Sequence, residues 1–276
     1  MSIFNSILSI LDRSMETPKP YGWFHLMCFS IVILICTLII IFRNKFSDKS
    51  VNIIMLITSI VFILFEIYKQ LIMNFDNGKI SNDWSWYIFP FQFCSTPMYV
   101  MLIASILKKG KVYNALTSYL GTYGLFAGLA VMFLPTTVFI STIGINIQTM
   151  VVHGGMVIIG VLLLSTSKIE FKWKSLLKAS MIFIILCSVA LCMNVIAHFA
   201  MPNETFNMFF ISPWFDCELP ILQSIQDGAP YIVFLLCYLI GFTLCAGITL
   251  GVAILCSKFK HTINIPQLNW GFFSLG

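Results

Sequence analysis

Apolar residues in this chain come in long runs rather than at spaced intervals. Seven runs stand out, at about 23–42, 52–73, 86–107, 113–134, 147–166, 177–200 and 229–256. A helix needs about 20 apolar residues to cross the hydrocarbon core. The pattern therefore predicts an all-α fold, a polytopic membrane bundle of seven transmembrane helices over residues 21–258. The last run is long enough to tilt or to pass beyond the bilayer. Ahead of the first run, Ile3, Phe4, Ile7, Leu8 and Leu11 recur at helical spacing. They predict an amphipathic stub within residues 1–20, lying on the outer surface. Residues 259–276 are left as a cytoplasmic tail.

The basic residues alternate between the connecting segments. Twelve follow runs one, three, five and seven, from Arg43 to Lys260, while Arg13, Lys19 and Lys79 lie on the other side. The positive-inside rule then puts the N-terminus outside and the C-terminus in the cytoplasm. Tyr21, Trp23, Trp84, Trp86 and Trp214 mark the outer boundary, where aromatic belts sit.

Composition narrows the function classes. Of 276 residues, 59% are hydrophobic and 10% charged, against about 25% charged in soluble domains. A multi-pass protein of the cell membrane is expected. The net charge of +5 sits in short loops. It serves orientation and contact with anionic lipid, not nucleic acid. Eight of the nine cysteines fall in apolar runs and Cys217 is alone in a loop, so no disulfide framework is implied. The first run is too long for the core of a cleavable signal peptide. No internal repeat is evident.

Polar groups inside the runs cluster at one depth. Glu66, Lys69, Gln92, Cys94, His153, Asn194 and His198 come from four runs, and in this orientation all lie in the outer half. Ionisable residues at membrane depth are rare and usually line a site or pathway. Glu66 and Lys69 are three apart and share a helix face, which suits an ion pair that could hold a phosphate. Cys94 lies in Pro90-Phe91-Gln92-Phe93-Cys94-Ser95-Thr96-Pro97, where Pro97 should kink the third helix. Gly154 and Gly155 leave room for a helix or ligand beside His153. A cysteine with an adjacent histidine is a nucleophile with its base. Asn194 or Gln92 could supply an oxyanion donor, and His198 and His25 are weaker candidates. Each residue also has a plain structural reading: inert thiol, satisfied core histidine, packing pair. No two of the three histidines nearest these runs have metal-ligand spacing on one helix, so neither metal nor cofactor is expected.

At these residues the chain resembles the YwaF-type bacterial integral membrane proteins, which are related to the eukaryotic transmembrane protein 164 family. The resemblance covers about residues 20–256. It is carried by Gly22-Trp23-Phe24-His25, Phe91-Gln92-Phe93-Cys94, Pro135, Val152-His153-Gly154 and Phe210-Ile211-Ser212-Pro213. The eukaryotic relatives are described as acyltransferases that load a fatty acyl chain on a cysteine and pass it to a lysophospholipid. The resemblance implies that Cys94 accepts the acyl chain and His153 assists.

Three functions fit these features. The first is a membrane-embedded lipid acyltransferase or acyl hydrolase. It would use Cys94 and His153 with Asn194 at the reacting centre and Lys69, Glu66, Gln92 and His198 around a phospholipid or lysophospholipid. The second is a transporter or binding protein for a small anionic solute. The apolar inner halves of the runs and the lack of an inverted repeat oppose it. The third is an accessory protein whose polar cluster is interhelical glue.

Overall fold

The computed structural model describes residues 3–135, 138–166, 168–170 and 172–262, with side chains omitted at 220 and 258–262. The tail beyond residue 262 lies outside them. The helices, in order, are α1 Ile3–Leu11, α2 Trp23–Ile41, α3 Asp48–Met73, α4 Thr96–Leu107 and α5 Lys111–Tyr119. Then follow α6 Leu125–Phe133, α7 Ile143–Ser165, α8 Trp173–Ala200, α9 Pro220–Gly228 and α10 Tyr231–Thr262. A π-turn at Leu120–Gly124 joins α5 to α6, so Lys111–Phe133 runs as one rod.

Six of these rods are long and apolar enough to cross a membrane. They are α2, α3, the α5–α6 rod, α7, α8 and α10. The third predicted span departs from the expectation of a full-length helix. Only Thr96–Leu107 is α-helical there, and twelve residues at about 1.5 Å each reach about 18 Å, short of the roughly 30 Å core. Pro97 does not kink a longer helix; it stands in the first turn of α4, where its missing N–H costs nothing.

Two rods form the centre. Of the apolar window of the α5–α6 rod and of α7, 72% is buried, against 22–28% for the other four. The outer rods therefore keep apolar faces outward, as a lipid-embedded bundle requires: Leu34, Ile57, Leu177 and Leu244 are all exposed. α7 packs against α2, α3 and α6, while α8 packs against α5 and α10. Gly128 sets the α6–α7 distance, since a Cβ there would lie 2.7 Å from the His153 carbonyl oxygen.

Aromatic rings fill the centre. Tyr119, Tyr123 and Phe183 stack in series, and Phe183 continues to Tyr238 and Phe242 of α10. The Tyr123 hydroxyl finds Ser180 at 2.9 Å and Thr243 at 2.8 Å, so this phenol is satisfied on both sides. The amphipathic stub forms as α1. Its Leu8 is buried against Ile72 and Ile145, while Ile3, Ile7 and Ile10 face outward. A bridge from Ser14 to Thr142 fixes the chain that follows.

Candidate functional site

Glu66 is the hub of the buried polar groups. It lies two turns from the end of α3 and is 6% exposed. The Lys69 ammonium meets its Oε1 at 2.7 Å, and the Gln70 amide donates to the same oxygen at 3.0 Å. The spacings of three and four put all three side chains on one helix face. Ser95 donates to Oε2 at 3.3 Å from the other side. A carboxylate in this setting survives because donors fill its lone pairs. The Gln70 amide also donates to the Ile88 carbonyl at 2.5 Å.

That second bond belongs to a wider set. Residues 86–95 are not helical beyond a 3-10 turn at Trp86–Ile88. Irregular backbone at membrane depth must find partners inside the protein. Tyr99 donates to the Pro90 carbonyl at 3.0 Å and Thr96 to the Phe93 carbonyl at 3.1 Å. The Gln92 carbonyl takes the Ser95 and Thr96 amides. The Thr96 hydroxyl then meets the Tyr119 hydroxyl at 3.2 Å. Pro90 cannot sit inside a helix that starts at residue 86, and polar side chains of its neighbours supply what the missing helix would have supplied.

Cys94 is held by this framework immediately ahead of α4. Its side chain is half-buried. Ser95, the N-cap residue of α4, lies within hydrogen-bonding reach of the thiol, and Lys69 and Glu66 act on it electrostatically. The N-terminus of α4 and the Lys69 ammonium favour negative charge at the sulfur, and the Glu66 carboxylate opposes it. Tyr87 is also in electrostatic range, and its hydroxyl donates to Glu218 at 2.6 Å.

His153 is buried on α7. Its Nδ1–H donates to the Thr149 carbonyl at 2.8 Å, which leaves Nε2 as the basic nitrogen. Lys69 acts on it electrostatically. Lys69 thus acts on both Cys94 and His153, and no hydrogen bond joins the two among the described residues. The glycines beside His153 receive helices and not a ligand. A Cβ on Gly154 would meet Val32 at 2.6 Å, and one on Gly155 would meet Phe62 at 2.7 Å.

Asn194 and Gln92 are occupied elsewhere. Asn194 donates to the Met208 carbonyl at 3.0 Å and accepts from the Met208 amide at 2.7 Å. Gln92 donates to the Asn207 carbonyl and accepts from the Phe209 amide, both at 3.0 Å. The two side chains clamp the loop after α8 into the bundle. That loop needs clamping: Phe209 and Phe210 have φ of 59° and 56°, a left-handed conformation costly for bulky residues. Phe209 is fully buried, packed on Phe91 and Phe93. The expected oxyanion donors are thus loop clamps. His198 stacks flat on Trp214 at 3.8 Å. His25 is buried, with Tyr21 N–H donating to its Nδ1 and the Met132 carbonyl 2.9 Å from Nε2. It caps the end of α6.

Ser95, Gln70 and Tyr87 belong to the site and were not singled out in the sequence. Gln70 carried a signal, its i+4 spacing from Glu66, and Ser95 another, its place next to Cys94. Tyr87 carried none.

The model of the TMEM164 family matches residues 18–251, which include every residue of this site. No curated protein and no solved structure matches the chain.

Proposed function

The chain belongs to the TMEM164 family, and on that premise we propose that it transfers fatty acyl chains between membrane lipids through a thioester on Cys94. The observation that carries this reading is the setting of Cys94. A thiol stands just ahead of a helix N-terminus, in electrostatic reach of an ammonium and a carboxylate and in hydrogen-bonding reach of a hydroxyl. A packing cysteine needs none of these neighbours; a sulfur nucleophile uses the ammonium, the helix N-terminus and the hydroxyl, with the carboxylate holding the ammonium in place.

In this reading His153 Nε2 takes the thiol proton. The thiolate attacks the ester carbonyl of a phospholipid, and a tetrahedral oxyanion forms. Its collapse breaks the ester C–O bond, and the imidazolium returns the proton to the leaving alkoxide. The products are a lysophospholipid and a Cys94 thioester. An acceptor hydroxyl, from a second lysophospholipid or from water, then gives its proton to His153 and attacks the thioester; the thiolate leaves and takes the proton back from His153. Lys69 holds the headgroup phosphate, and Glu66 fixes Lys69. Asn194 and Gln92 position the loop that closes over Phe91 and Phe93, and His198 has no part in the chemistry.

The membrane arrangement belongs to the same proposal. Residues 86–95 and α4 together make the seventh crossing, within one membrane domain. The N-terminus is outside and the C-terminus cytoplasmic, and the site opens to the outer leaflet of the cell membrane.

The test is acyl exchange in vesicles, with a labelled phospholipid donor and an unlabelled lysophospholipid acceptor. Wild-type protein moves label to the acceptor and Cys94→Ala does not. Equal transfer by the two proteins would contradict the reading.

A further inference from the structure

At the opposite end of α4 from Cys94, a polar cavity of about 320 Å³ is walled by four lysines. Lys108 and Lys109 come from the turn after α4, Lys168 from the segment before α8, and Lys178 from α8. Two carboxylates, Asp48 and Glu170, line it as well, leaving a surplus of two positive charges. Lys168 is paired with Asp48, and Glu170 is drawn toward Lys172 at 3.9 Å. Lys108, Lys109 and Lys178 have no carboxylate partner among the described residues.

Loop lysines on this side orient the protein, and for that purpose they need only be present. Convergence on a cavity is a further requirement, and it brings like charges together at a cost that an anion would relieve. The backbone adds to the same field. Tyr113 and Asn114 in the first turn of α5 line the cavity, as does Ser175 in the first turn of α8. Helix N-termini carry positive partial charge and favour anions. The volume is at the lower end of the range for small-ligand sites. A phosphomonoester carries about −1.5 to −2 charge at neutral pH, which matches the surplus.

We infer that this lysine-walled cavity binds a phosphomonoester, either on a lipid headgroup or as a free solute. The site is about 18 Å from Cys94 along the twelve residues of α4. It is independent of the acyl-transfer chemistry.

The experiment uses the full chain in nanodiscs of phosphatidylcholine. Short-chain phosphatidic acid and inorganic phosphate are the probes, and native mass spectrometry and thermal shift are the readouts. Three proteins are compared: wild type, Lys108→Gln/Lys178→Gln, and Lys45→Gln/Lys49→Gln. The last removes the same charge from exposed positions outside the cavity. The expected result is at least tenfold weaker phosphatidic acid binding in the 108/178 variant, with the 45/49 variant like wild type. A thermal shift with inorganic phosphate that is lost in the 108/178 variant alone identifies a free-solute site. A shift with the lipid only identifies a headgroup site. Equal binding by all three proteins, or equal loss in both variants, overturns the proposal.

Discussion

Ser95 donates to Glu66 across 3.3 Å, and this bond ties the segment that carries Cys94 to the helix that carries Lys69. Two stretches separated by a loop and a small hairpin are thereby held at one place. The Glu66 carboxylate does not have to react with anything to be essential. It holds the ammonium on one oxygen and the Cys94 segment on the other.

Loss of that hub leaves Lys69 buried without its partner. Breaking a buried pair from one side costs about 3–5 kcal/mol, and the Lys69 side chain keeps 17% of its exposure. Glu66→Gln is therefore expected to destabilise by about 3 kcal/mol, read as a fall in Tm in detergent. Adding Lys69→Met to Glu66→Gln should restore at least half of the loss. A double variant less stable than Glu66→Gln alone would contradict the pairing.

The clamp on the loop after α8 makes a different prediction. Asn194→Leu keeps the volume but orphans the N–H of Met208, at a cost of about 1–3 kcal/mol, and leaves the Met208 carbonyl only the longer bond from the Ile211 amide at 3.4 Å. The variant should lose about 2–3 kcal/mol and become sensitive to protease between residues 201 and 219. At a temperature where it stays folded, its acyl transfer per folded molecule should lie within about tenfold of wild type. A stable protein with abolished turnover would instead mark Asn194 as an oxyanion donor.

Much of this was legible in the sequence, and the reasons differ by element. The long apolar runs announce helices because lipid demands internally satisfied backbone. Glu66 and Lys69 announce their pair because a spacing of three fixes a shared face. The third run misled: 86–107 has the apolar length of a span, yet the helix starts only at Thr96. Hydropathy does not register that Pro90 and the backbone-seeking side chains of Gln70, Tyr99 and Thr96 favour an irregular entry. The clamps were hidden for another reason. Gln92 reaches Asn207 and Phe209 across more than 100 residues, and only the packed fold brings them together.

His153 should separate chemistry from stability. Its ring is oriented by Thr149, and Nε2 is the base in the proposed mechanism. His153→Gln is expected to slow thioester formation by about 10²–10⁴-fold in single-turnover measurements, with Tm shifted by only a few degrees. Unchanged acylation kinetics would remove His153 from the mechanism and return it to the core.

The most direct test of the central claim is the covalent intermediate itself. Intact-mass measurement on the purified protein, after incubation with mixed phospholipids, should show an acyl-mass adduct that hydroxylamine removes and that Cys94→Ala lacks. With folded protein and a broad range of donor lipids, no adduct on wild type, or the same adduct on Cys94→Ala, would contradict a thioester on Cys94.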